Sequence, residues 1–187
     1  MSTKVAAIAI VISLIISALL INAGSQGSIV VNGWPLFALC APIAFLLHWT
    51  FFIPSYILRT DHYFDLIGST SYVATAITAA MLSPSLDLRG IIICSMVVIW
   101  ATRLGLFLFT RIKQDGKDVR LDVIKTKFIR FLNLWTLGGL WVLVTMGAGL
   151  AAMTSKTSLD IGLIGYIGIG LWVFGFIIEV MADSQKR

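Results

Sequence analysis

The chain has 187 residues, 58% of them hydrophobic and 12% charged, with a mean hydropathy of +0.95 and a formal net charge of +5. Ordinary soluble domains are about half apolar and about a quarter charged, so this chain cannot cover a water-facing surface, which excludes a soluble globular domain, a disordered chain and a nucleic-acid binder. A helix needs about 20 apolar residues to cross a bilayer core, which leaves room for roughly six spans and sets the expected fold class as all-α, a polytopic transmembrane helix bundle forming a single domain over 1–187.

The first apolar run, 5–21, follows Lys4 and precedes the small residues Ala23, Gly24 and Ser25. A signal peptide has that layout too, but the run is long for a signal segment and the rest of the chain is just as apolar. The second, 36–58, carries Pro42 and Pro54, which kink a spanning helix. The third, 64–82, is rich in Ser, Thr and Ala and is expected to pack against other helices rather than lipid. The fourth is 90–112, the fifth 131–153 and the sixth 161–181. Gly162, Gly165, Gly168, Gly170 and Gly175 in or beside the sixth predict a close helix–helix approach. Cys40 and Cys94 lie inside apolar runs without metal-ligand spacing, so neither a disulfide framework nor a metal site is expected.

The basic residues orient the bundle. With the N-terminus inside, Lys4, Arg59, the cations of 111–130, Lys186 and Arg187 fall on the inner side and only Arg89 and Lys156 on the outer. Both termini are therefore expected to be cytoplasmic.

Several polar residues sit where solubility does not account for them. Arg103 lies within the fourth run, where a mid-helix charge costs roughly 2.5–3.5 kcal/mol on insertion scales. It either snorkels or forms a structural ion pair, or it lines a polar ligand site. Arg111, eight residues on, shares nearly the same helix face, and two guanidiniums there suit an anion such as phosphate. Lys113 to Asp122 mixes both signs of charge, and a solvated loop explains its cations better than its three aspartates. Glu179 and Asp183 are one helical turn apart, a spacing that disfavours a helix unless a cation or ligand compensates. Arg103, Arg111 or Lys117 can do so if the helices are neighbours; two interfacial carboxylates fraying into water are the alternative. Asp65 suits a helix N-terminus. His48, alone in the second run, reads as a buried hydrogen-bonded residue rather than a catalyst.

The ordered set Phe64-Asp65 with Gly68-Ser69, Arg103-Leu104-Gly105-x-Phe107-Leu108-x-x-Arg111, Asp115-Gly116-Lys117-Asp118-x-Arg120-x-Asp122, Phe131 with Trp135 and Trp141, and Gly175-Phe176-x-x-Glu179-x-x-Ala182-Asp183-x-Gln185-Lys186 resembles the bacterial branch of the steroid 5-alpha-reductase-like membrane proteins, the DUF1295 family. The resemblance runs from about Phe64 to the last residue. It implies an integral protein of the bacterial inner membrane, an NADPH-dependent reductase of a carbon–carbon double bond conjugated to a carbonyl, acting on a steroid-like or other lipid substrate taken from the bilayer. It further implies that Glu179, Asp183 and Lys186 contact the cofactor from the cytoplasmic side, with Arg103, Arg111, Lys117 and Arg120 in phosphate-binding or helix-organising roles. An arginine on a 2′-phosphate favours NADPH over NADH. The family's proton donor includes a tyrosine, for which Tyr72 and Tyr56 are the candidates here.

Family members continue past the Lys186 position for roughly another third of a chain, with an Arg-His-Pro-Asn-Tyr-like segment that this sequence lacks. The chain is thus expected to be the N-terminal portion of such a fold, and as written to bind NADPH weakly or not at all and to lack reductase activity. Two other readings stand beside it: an isoprenylcysteine methyltransferase-like enzyme using S-adenosylmethionine, and a small non-enzymatic membrane protein.

Overall fold

A computed structural model describes residues 2–115 and 122–185 of the chain. The elements follow in the order α1 (Thr3–Ser25), β1 (Val30–Val31), β2 (Trp34–Pro35), α2 (Leu36–Cys40), α3 (Ile43–Ile57), α4 (Phe64–Leu82), α5 (Leu88–Asp115), α6 (Asp122–Lys125), α7 (Phe128–Met153) and α8 (Leu163–Ser184). Among the described residues, five segments are long and apolar enough to cross a membrane: α1, α2 with α3, α5 to Ile112, α7 and α8. The protein is an all-α integral membrane bundle. The third apolar run forms α4, 19 residues long, about 28 Å at 1.5 Å per residue. Ser and Thr dilute its apolar character and leave it outside that set of five. It packs against α3, α5 and α7, with Ser71, Ala76 and Ala79 fully buried.

Hydrophobicity does not drive helices together in lipid; close packing of small residues does. Accordingly, α4 and α5 meet where a Cβ on Gly105 would lie 2.6 Å from Ser69 Cβ. Gly139 of α7 gives the same close approach to Phe45. On α1, Ala6, Ser13 and Ser17 are buried, and the two hydroxyls donate to their own helix backbone at 2.8 and 2.7 Å. An apolar cluster around Leu36, Phe37, Phe45, Val142 and Met146 fills one half of the bundle. An aromatic cluster of Phe52, Phe131 and Trp135 with Ile67 fills the other.

Three features depart from expectation. Pro42 does more than kink the second run: the helix breaks there into α2 and α3, with Pro42 as the N-cap residue of α3, while Pro54 is accommodated inside α3. Between α1 and α2 lies an antiparallel ribbon pairing Val30 with Pro35 and Val31 with Trp34. Its turn residues, Asn32 and Gly33, have φ of 50° and 83°, the left-handed backbone that two-residue hairpins demand. On α8, nothing among the described residues approaches Gly162, Gly168, Gly170 or Gly175 within 4 Å of a Cβ position. The expected close helix approach is absent there.

The two ends of the bundle are held differently. At one, Ser28 bridges to Ser155, so α1 and α7 finish side by side. There Asp87 accepts from the Gly90 amide at 2.8 Å and the Leu159 amide at 3.2 Å, and Arg89 donates to the Thr157 carbonyl at 3.2 Å. Asp87 thus caps α5 and latches the linker into α8. Burial pushes the Asp87 carboxyl up, but the Gly90 and Leu159 amides and the Arg89 charge outweigh it and hold it below its ordinary value. A lowered folded-state pKa contributes stability that is complete above the ordinary carboxylate range and is lost as pH falls through the lowered value. Asp87→Ala is expected to cost about 1 kcal/mol at neutral pH and nothing at a pH below both values. Unfolding followed at the two pH values checks this.

At the other end, Lys125 of α6 forms an ion pair with Asp61 in the turn between α3 and α4, each side chain 6% exposed.

Candidate functional site

Arg103 sits about 14 Å before Ile112 along the α5 axis. Its two terminal nitrogens divide between the two carboxylates of α8. Nη1 donates to Asp183 Oδ2 at 2.7 Å, and Nη2 donates to Glu179 Oε1. The i,i+4 spacing of Glu179 and Asp183 lets one planar guanidinium reach both, which the point charge of a lysine cannot do. Trp100, one turn before Arg103, donates its indole N–H to the other oxygen of Glu179 at 3.0 Å. The Phe176 ring lies 5.6 Å from the guanidinium carbon and stacks on Trp172. Arg103 Nε is buried without a partner. Beside this cluster runs a groove of about 320 Å³, lined by Arg103, Phe107, Thr110, Val180, Asp183 and Ser184 among others.

A second cavity of about 350 Å³ opens between α3, α4, α5 and α7. His48, Asp65, Ser69, Tyr72, Trp100 and Trp141 line it together with leucines. Tyr72 hydrogen-bonds to Thr145 Oγ1, and Thr145 Oγ1 donates to the Trp141 carbonyl at 2.7 Å. A carbonyl can only accept, so the Thr145 hydrogen is committed and Tyr72 is the donor of the pair. The Tyr72 ring meets Trp100 edge-on at 5.1 Å. Trp100 therefore belongs to both places: its ring lines the apolar cavity and its N–H holds the ionic cluster.

The structure brings Arg103, Glu179 and Asp183 together, with Arg103 as the compensating cation. Arg111 stands two turns further on, over the Phe107 ring at 5.9 Å, and is not part of the Arg103 ion cluster. Of the two tyrosines, Tyr72 lines the cavity. Tyr56 lies in an aromatic cluster, stacked on Phe52 and edge-on to Phe128. Asp65 is in the first turn of α4. His48 is buried and hydrogen-bonded, as expected of it. Lys117, Arg120 and Lys186 lie outside the described residues. Sequence reasoning missed Trp100, whose signal was its place three residues before Arg103 on one helix face. It also missed the Asp61–Lys125 pair, for Lys125 was read only as a topology signal.

Residues 51–187 match the family described as protein of unknown function (DUF1295). The chain belongs to the DUF1295 family. The match includes α4, α5, α7 and α8, and with them the ionic cluster and Tyr72; only His48 of the residues described above falls before it. No curated protein and no solved structure matches the chain.

Proposed function

We propose that the protein is a membrane-embedded, NADPH-dependent reductase of an enone-type double bond in a steroid-like or other lipid substrate, with its cofactor entering from the cytoplasmic side. The observation that carries this reading is that Trp100 lines the cavity between α3, α4, α5 and α7 while its N–H holds the Arg103–Glu179–Asp183 ion cluster, which has a groove of its own beside it. A reaction between a lipid and a water-soluble cofactor needs two such compartments meeting at one wall.

The groove fits one part of the cofactor. Arg103 Nε, buried and unpartnered, is a single donor, and the Asp183 carboxylate is an acceptor. That pair suits a ribose or carboxamide. It does not suit a phosphate, since the one guanidinium is already neutralised by two carboxylates. The phosphates fall to Arg111 and the cations that follow it in sequence, Lys117 and Arg120, with Lys186. When bound, the reduced nicotinamide supplies a hydride to the β carbon of the conjugated system.

The chain's own share is the carbonyl end. Turning the Tyr72 hydroxyl about its C–O bond takes the hydrogen from Thr145 and points it into the cavity, at a loss of about 1 kcal/mol for the one hydrogen bond. There it polarises the substrate oxygen and supplies the proton as the enolate forms. The leucine and tryptophan walls exclude water from that step.

The test is ligand-dependent stability of the protein in nanodiscs. NADPH at a hundredfold its Kd is expected to stabilise by about 2.7 kcal/mol, with S-adenosylmethionine ineffective. With progesterone as enone probe, Tyr72→Phe is expected to lower NADPH consumption at least about 100-fold and leave the NADPH-induced stabilisation unchanged. Absence of any NADPH response overturns the reading, and a response to S-adenosylmethionine instead makes it a methyltransferase.

One observation favours a second, non-enzymatic reading: both terminal nitrogens of Arg103 are engaged by α8, as in a purely structural tether. It predicts that Glu179→Ala and Asp183→Ala change stability and no ligand response at all.

A further inference from the structure

His48 lines the apolar cavity while only 1% exposed overall. Its Nδ1 lies 2.7 Å from the Ala44 carbonyl and 3.4 Å from Ser71 Oγ. The carbonyl can only accept, so Nδ1 carries the hydrogen. Ser71 confirms the assignment, because its own hydrogen is given to the Ile67 carbonyl at 2.7 Å. In the neutral ring the tautomer is therefore fixed, and Nε2 presents a lone pair.

Gly138 packs against the Cδ2–Nε2 edge of the ring, where a Cβ would lie 2.6 Å from both atoms. The nitrogen is open only toward the cavity that His48 lines. The ring cannot turn away: Trp135 and Phe64 meet it edge-on at 6.0 and 6.1 Å. Among the described residues none donates a hydrogen to Nε2. A lone pair at the wall of an apolar cavity, away from bulk water, carries a desolvation penalty unless something answers it.

A ketone, an ether oxygen or a carboxylate brings another lone pair and cannot answer it. A hydroxyl can, and the leucine and tryptophan walls around it suit a hydrocarbon. Trp141, 67% exposed on the same cavity, stands where the cavity meets the bilayer. We propose that this cavity binds a lipid alcohol, whose hydroxyl donates its hydrogen to His48 Nε2 while its hydrocarbon lies along the α4, α5 and α7 walls. Under the reductase reading this makes the substrate a hydroxylated lipid, with the hydroxyl at His48 and the carbonyl at Tyr72. The binding site itself does not depend on that reading.

The test uses ω-bromoundecanol and its methyl ether, each at the same mole fraction in nanodiscs holding the full-length protein, without any nicotinamide cofactor. Bromine quenches the fluorescence of Trp100 and Trp141 when the chain enters the cavity. The alcohol is expected to bind about 5- to 10-fold more tightly than the ether, the worth of one hydrogen bond in a low-dielectric site. His48→Leu is expected to abolish that preference, and His48→Gln, which keeps an acceptor, to restore part of it. Equal binding of alcohol and ether by the wild-type protein overturns the proposal, as does a preference that survives His48→Leu. Because no cofactor is present, neither outcome bears on NADPH binding, and a protein that ignores NADPH can still pass this test.

Discussion

Lys125→Met is expected to lower the unfolding free energy by roughly 3–5 kcal/mol, because it strands a buried carboxylate. Asp61 and Lys125 are each 6% exposed in the side chain and tie the turn after α3 to the short helix α6. Neither side chain has the water that would screen a lone charge. The double variant Asp61→Asn with Lys125→Met removes both charges at once, and is expected to cost only about 1 kcal/mol, since a buried ion pair is worth little beyond a neutral pair of similar volume. Detergent-titrated unfolding of the two variants, followed by tryptophan emission, checks the difference. Equal losses would mean that the pair is wetter than its burial indicates.

Arg103→Leu is expected to cost roughly 3 kcal/mol, the insertion cost of leaving an acidic side chain unpaired within a span, and also to release α8. No residue of α8 is buried. Among the described residues its side-chain hydrogen bonds to the bundle run from Glu179 and Asp183 to Arg103 and Trp100. Without the guanidinium, two carboxylates one turn apart repel each other at the level of the bilayer. A spin-label distance between α5 and α8 is expected to broaden in Arg103→Leu and to narrow again when Glu179→Gln and Asp183→Asn are added. Arg103→Lys keeps the charge but reaches one carboxylate at a time, so its distribution is expected to fall between the two. A distribution indistinguishable from wild type in Arg103→Leu would mean that other contacts seat α8.

The helices were legible because lipid demands continuous apolar runs of a fixed length, and each predicted run corresponds to an observed helix or, at Pro42, to a pair. The Arg103 cluster was legible for a related reason. A charge inside an apolar run is costly enough to require a partner, and Glu179 with Asp183 raised the same demand from the other side. What could not be read was distance in the chain. Asp61 and Lys125 are 64 residues apart and lie outside the apolar runs, where nothing in the sequence says that a charge will be buried. The hairpin at Asn32-Gly33 lies in the gap between the first and second apolar runs, which a reading built on apolar runs skips. The glycines of α8 mislead because a small-residue pattern states that a backbone can be approached, not that anything approaches it. The cavity around His48 and Tyr72 is assembled from four helices, and no spacing along any one of them announces it.

Two fastenings hold α8: the Asp87 latch on the linker before it and the Arg103 fork in its last turns. Between them no residue of α8 is buried, and Ile169, Trp172 and Phe176 along one face are half-buried. Such a helix behaves like a bar pinned at both ends across a window frame. In the bilayer, acyl chains pack along its exposed faces, and their length and order become part of the stiffness of that wall.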